Sequence, residues 1–255
     1  LVATSALLAG PSLVQGAVTP LFTENLDAFD AAQDLGDGST FGFELIDPVT
    51  PFNDGKALRM YDFSTLDKPE LQGELSSALL EPFRIDFLAL NQSTATPTQP
   101  SSAIRFRMGN SGASISSENR VAFSVSWQVD GEVTAKFNNP SDGTGDVDTK
   151  SSDVLVGVHG VTMIANGALA GNYDYSLFGE TRSLNPLSYD VYIDGVLLNS
   201  GSDAWYANGM EFHYLKTGSE YVPANGLQRF GLIGNGNSNI DPDILFDNII
   251  LSTGL

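Results

Sequence analysis

Between Val121 and Val129, apolar and small or polar residues alternate without interruption: Val121, Phe123, Val125, Trp127 and Val129 fall on one side, Ala122, Ser124, Ser126 and Gln128 on the other. A period of two belongs to an extended strand with one buried and one outward face. Trp127 is therefore expected in the core, and Ser124, Ser126 and Gln128 along an outward polar groove that could hold sugar hydroxyls. Comparable runs predict strands over 41–46, 56–62, 70–78, 83–90, 103–108, 154–164, 187–193, 196–199, 211–215, 228–234 and 244–251. Asp130-Gly131 and Asp194-Gly195 separate strand-like runs, and such pairs supply the positive φ angles of tight hairpins. A helical period is nearly absent, and only 24–35 (ENLDAFDAAQDL) is predicted as a short helix. Gly, Asn, Pro, Ser and Asp cluster in 91–102, 138–153, 165–172, 199–209 and 235–243, which are read as loops. Many short strands without crossover helices predict an all-β, two-sheet antiparallel sandwich rather than a parallel α/β fold.

The chain has 255 residues, a length that one large sandwich domain can accommodate. Its formal charge is −19, which repels a phosphate backbone and excludes nucleic acid as a partner. Neutral sugars, divalent cations and basic proteins remain. Cysteine is absent, and with it disulfides, thiolate metal sites and cysteine nucleophiles. The N-terminal LVATSALLAGPSLVQGAV is apolar, uncharged and then small, the pattern of the h-region and cleavage zone of a secretory signal peptide. Gly10-Pro11-Ser12 interrupts it well short of the roughly 20 apolar residues of a membrane span. Residues 1–17 are thus expected to be a signal-peptide remnant or a retained assembly segment, and 18–255 one domain that is secreted or displayed at the cell surface.

Three stretches carry a resemblance: GKALRMYD (55–62), YDVYIDGVLL (189–198) and ILFDNIIL (244–251). Together they resemble the concanavalin-A-like lectin and glucanase sandwiches, including laminin-G-like modules, which implies a jelly-roll fold and a glycan ligand. The terminal FDNIILSTG is similar to the end of the globular part of exported bacterial proteins bearing a PEP-type sorting signal, which would here have been trimmed.

Asp247 alternates with Leu245, Ile249 and Leu251, and a carboxylate on an apolar face is costly unless hydrogen-bonded or bound to a cation. One reading is that it accepts backbone hydrogen bonds at a bulge. The other comes from the resemblance: a last-strand aspartate and a first-strand glutamate hold a structural calcium in several such sandwiches, which implies Asp247 and Glu44. The loops 139–153 and 235–243 are rich in Asp and Asn but match no EF-hand spacing, and they are read as solvated turns. Trp205 and Tyr206, with Asp203 and Asn208 beside them, could form a platform for sugar rings or tuck onto the sandwich.

Enzymatic patterns are sparse. The Glu-Xaa-Asp-Xaa-(Xaa)-Glu strand of laminarinase-type hydrolases is missing. YLKTG (214–218) resembles an alginate-lyase strand, which implies Tyr214, Lys216 and His159 as catalytic candidates, but ELQGELSS has no arginine to neutralise a uronate carboxylate. The leading expectation is a non-catalytic, calcium-stabilised sandwich that binds a glycan or polysaccharide. The alternatives are a matrix or filament protein assembling with copies of itself by strand addition through its N-terminal segment, and an alginate-type lyase.

Overall fold

The computed structural model describes residues 18–22, 41–47, 56–64, 68–93, 103–112, 114–138, 147–198, 207–212, 220–234 and 242–255. The strands among them are β1 (Val18–Phe22), β2 (Phe41–Ile46), β3 (Ala57–Asp62), β4 (Glu70–Leu79), β5 (Pro82–Asn91), β6 (Ala103–Gly109), β7 (Val121–Gln128), β8 (Val133–Asn138), β9 (Val147–Ser151), β10 (Val158–Asn166), β11 (Tyr173–Leu177), β12 (Glu180–Leu184), β13 (Ser188–Ile193), β14 (Val196–Leu197), β15 (Met210–Glu211), β16 (Leu227–Ile233) and β17 (Asp243–Thr253). The predicted helix at 24–35 lies outside the described residues.

All pairings are antiparallel. A first sheet runs β2-β3-β17-β5-β10-β13, and a second runs β8-β7-β6-β16-β4. The short β15 links them by pairing with both β13 and β8. Strand β17 shares one edge between two partners: β3 covers residues 243–246 and β1 covers 249–252. Residues 18–22, which the hydrophobic pattern had not marked as a strand, therefore pair with their own chain.

One face of each sheet contributes to a single core. From the first sheet come Met60, Phe83, Ile85, Phe87, Val161, Met163, Tyr189, Val191, Ile244 and Phe246; from the second come Leu71, Ile104, Phe106, Met108, Phe123, Val125, Trp127, Val133 and Leu232. Trp127 is 2% exposed, as its parity predicts. Val121 breaks that parity. A register shift between Met108 and Gly109 puts Val121 opposite Gly109, and it packs outside the main core with Ile115 and Ile233.

Both Asp-Gly pairs form turns, by different means. Asp194 and Gly195 both have positive φ, at 50° and 79°, and join Ile193 to Val196 in a two-residue hairpin. At the other pair only Gly131 is positive, at 95°, and the turn is closed by Gly131 N–H donating to Gln128 O and by Glu132 N–H donating to the Asp130 side chain. A third hairpin, β11-β12, has Phe178 (φ 50°) and Gly179 (φ 85°) at its tip. It lies over the outer side of β10 and β13, burying Tyr175 and Leu184 against Ile164, Tyr192 and Leu197.

Burial raises the pKa of Tyr173, Tyr175, Tyr189 and Tyr192, with Asp190 adding to the effect at Tyr175. A phenol that keeps its proton when folded but ionises near pH 10 when unfolded contributes stability that is present below about pH 10 and lost above it. Arg105 and Arg107, whose pKa values are lowered, act in the opposite sense but are outnumbered. Stability is thus expected to fall from about pH 10, and Tyr189→Phe should make the fall shallower. Urea midpoints at pH 8 to 11 check this; a flat profile contradicts it.

Candidate functional site

The outer face of the second sheet is a ladder of polar side chains. Core parity points Ile104, Phe106 and Met108 inward, so Arg105 and Arg107 project outward; the same logic places Ser124, Ser126 and Gln128 of β7, and Thr134, Lys136 and Asn138 of β8, on that face. Register sets them in rows across the strands. One row is Gln72, Gly231, Arg107, Ser124, Lys136, and the next is Glu70, Ile233, Arg105, Ser126, Thr134.

Arg107 is committed. Its Nη1 donates to Ile115 O at 3.0 Å and Ser116 O at 2.7 Å, and Nη2 reaches Glu118 at 3.4 Å. Gln72 holds the same loop by accepting from the Ile115 amide at 3.1 Å. Burial, with Arg105 nearby, pushes the Arg107 guanidinium down to about 10, against the pull of Glu118 and Glu70. Lys136 donates to the same Glu118 Oε1 at 2.6 Å. Arg107 and Lys136 flank Ser124 in register, so their shared ion pair passes over the serine, which is 1% exposed and whose Oγ has no hydrogen-bond partner.

This corrects one expectation. Ser124 and Ser126, each 1% exposed, lie on the outward face but do not line an open groove, because small side chains between long ones in the same row are shielded. Gln128 is half-buried; it donates to Thr134 Oγ1 at 3.0 Å and leaves Oε1 without a partner. Arg107 Nε and Asn138 Oδ1 are likewise unpartnered, so four such buried atoms fall on three adjacent strands of this face. Arg105 differs from Arg107 in the same strand. It is half-buried, burial lowers its pKa, and it makes no hydrogen bond or ion pair among the described residues, Glu118 and Asp62 acting on it only at longer range.

Asp247 sits on the outer face of the first sheet. It pairs with Leu88, whereas Ile250 pairs with Asp86, so one extra residue is inserted and Asn248 adopts φ 52°. This bulge falls where the edge partner of β17 changes from β3 to β1. It also overturns the simple alternation: Ile249 and Leu251 belong to the core, while Leu245 and Asp247 face outward. Asp247 is 1% exposed and its Oδ1 accepts from the Asn248 amide at 2.8 Å.

Glu44 pairs in register with Arg59, which is opposite Leu245, two positions before Asp247. Arg59 donates to Glu44 at 2.6 Å and to both oxygens of Asp243 at 2.9 and 2.7 Å, and these bonds, led by Asp243, raise its pKa. Glu44 is thus spent on a guanidinium, and among the described residues no three His, Cys, Asp or Glu side chains converge as a metal site requires. The donors do not fit the implied calcium pair. Asp247→Asn, which keeps an acceptor oxygen, is expected to cost under about 1 kcal/mol, and Asp247→Ala about 1–3. Calcium should leave the parent protein's melting curve unmoved; a calcium-dependent rise that Asp247→Ala abolishes contradicts this account.

His159 lies on β10 in the first sheet, its Nδ1 2.6 Å from Asp194 Oδ2, while Asp194 Oδ1 accepts from the Gly160 amide at 2.8 Å. The fold does not bring His159 onto the face that bears Arg105. Tyr214 and Lys216 lie outside the described residues, as do Trp205, Tyr206 and Asp203. Asn208 is an exposed turn residue whose carbonyl accepts from Asn185 N–H at 3.0 Å. The signal for Arg105 and Arg107 lies in their alternation with Ile104, Phe106 and Met108, a stretch distant in sequence from the arginine-free ELQGELSS.

The protein is a two-sheet antiparallel β-sandwich. No protein-family model matches the chain, and neither does any curated protein. Solved structures similar to it include a conserved carbohydrate esterase from Shiga toxin-encoding bacteriophage phi24B, at 12% identity over 94% of this chain and 100% of that one, with a TM-score of 0.49. Alginate lyase AlgAT5 of polysaccharide lyase family 7 is similar at 11% identity over 90% and 87%, with a TM-score of 0.46. The carbohydrate recognition domain of Emp47p is similar at 7% identity over 91% and 100%, also at 0.46.

Proposed function

We propose that this is an exported protein that binds a glycan, without turning it over, on the outer face of its second sheet around Gln128, Lys136 and Arg105. The observation that carries the reading is the ladder itself: adjacent strands align hydroxyl, amide and cationic side chains in rows, in which Gln128, Lys136 and Arg105 are only half-buried and Arg105 makes no hydrogen bond or ion pair among the described residues. Sugars present closely spaced hydroxyls, and incompletely satisfied polar side chains on rigid strands suit such a ligand better than an apolar one. Binding rather than catalysis is favoured on this face because the candidate base, His159, belongs to β10 of the first sheet and not to the ladder. The assembly alternative rests on residues 1–17, which lie outside the described residues.

A glycan array probed with the full chain tests this. Gln128→Ala is expected to weaken any hit by about tenfold, the loss of one or two polar contacts, while shifting stability by less than about 1 kcal/mol. Unchanged affinity in a folded variant, or an array without hits, contradicts the reading.

A further inference from the structure

Lys136 is taken up by Glu118, and Arg229 by Glu74 at 3.4 Å, so these two cations of the face are already neutralised. Arg107 is locked under its loop by two carbonyls and Glu118. Arg105 alone of the two β6 arginines keeps its donors uncommitted among the described residues, although it lies between Ile233 and Ser126 in the middle of a five-strand row. A half-buried guanidinium that makes no ion pair among the described residues, Glu118 and Asp62 acting on it only at longer range, is costly, and a ligand oxyanion would complete it.

We infer that Arg105 is an anion subsite, and that the glycan bound on this face is acidic, read through a carboxylate or sulfate ester. The inference rests on the proposed glycan reading and deepens it. The planar guanidinium fork matches either oxyanion in a two-point, charge-assisted contact, with the Gln128 amide on the same face available to a neighbouring hydroxyl. A net charge of −19 argued for neutral partners. It does not decide the matter at contact range, because charges beyond about 10 Å are largely screened at 0.1 M salt, whereas a half-buried donor set acts locally.

The test is calorimetric titration of the full chain with polygalacturonate, with its carboxyl-reduced counterpart and with a sulfated galactan, repeated for Arg105→Gln and Arg105→Lys. The expected result is that carboxyl reduction and Arg105→Gln each weaken polyuronate or sulfated-glycan binding by about tenfold to a hundredfold. Arg105→Gln should weaken binding of the reduced polymer by much less than that of the acidic one, and Arg105→Lys should recover only part of the loss, since a point charge lacks the fork. Preference for one acidic polymer names the oxyanion. If acidic and reduced polymers bind equally and Arg105→Gln is silent, the anion subsite is overturned and glycan binding stands. If no polymer binds the wild type, both readings fall. Melting curves of both variants confirm folding, and Arg105→Gln is expected to melt no lower than the parent.

Discussion

Replacing Asp190 with Ala is expected to destabilise the protein by about 3–5 kcal/mol, the scale found when one member of a buried ion pair is removed. Asp190 is 0% exposed and is the anchor of the β11-β12 hairpin. It accepts from Tyr175 Oη at 2.6 Å and from Arg182 Nε and Nη2 at 2.5 and 3.1 Å. Both donors come from the hairpin and the acceptor from β13, so the network fastens the hairpin to the sheet beneath it. Without the carboxylate, a largely buried guanidinium loses two bonds and a buried phenol one, the phenol keeping its contact with Tyr192 Oη at 2.8 Å. For a chain of this size each kcal/mol moves the melting temperature by roughly 2–4 °C, so a fall of about 10 °C is expected. Replacing Arg182 and Asp190 together by leucines should cost less than Asp190→Ala alone, since no unpaired charge remains. A single-mutant loss below about 1 kcal/mol by urea unfolding contradicts this account of the hairpin.

The second large effect is in the core. Trp127 packs at 5.2 Å between ring centroids against Phe87 and edge-on at 5.8 Å against Phe246, joining β7 of the second sheet to β5 and β17 of the first. Trp127→Ala removes the largest side chain type from this contact between sheets and is expected to cost about 3–5 kcal/mol. Trp127→Phe should cost less than half as much, because most of the ring volume remains. Equal losses in the two variants would show that the site collapses freely and that the rings do not set the spacing of the sheets.

How much of this was legible in the sequence depends on whether period two survives locally. It survives in β6, β7, β10 and β13, so the sandwich, the burial of Trp127 and the outward aspect of Ser124, Ser126 and Gln128 follow from the residues. It fails at Asp247-Asn248 and near Val121, where register shifts reverse which residues face inward; a carboxylate on an apolar face followed by Asn signals the first of these bulges, and nothing in the residue types signals the second. The β11-β12 hairpin escaped notice because its tip uses Phe178 at positive φ, a position that usually takes Gly, Asn or Asp. Contacts visible only in three dimensions make that choice tolerable: the Phe178 ring lies 5.3 Å from that of Tyr192 and packs over Gly195. Arg105 was readable as an outward strand residue, but its lack of a partner was not, since pairing depends on which loops and strands reach it.

The central claim is that the ligand sits on the outer face of the second sheet. A photo-crosslinking derivative of the best array ligand, followed by peptide mapping, tests it most directly. Labelled peptides should come from 103–109 and 121–138, with labelling suppressed by excess free glycan. Suppressible labelling confined to 158–198, or to the loop around Trp205 and Tyr206, would place the ligand elsewhere and contradict the account.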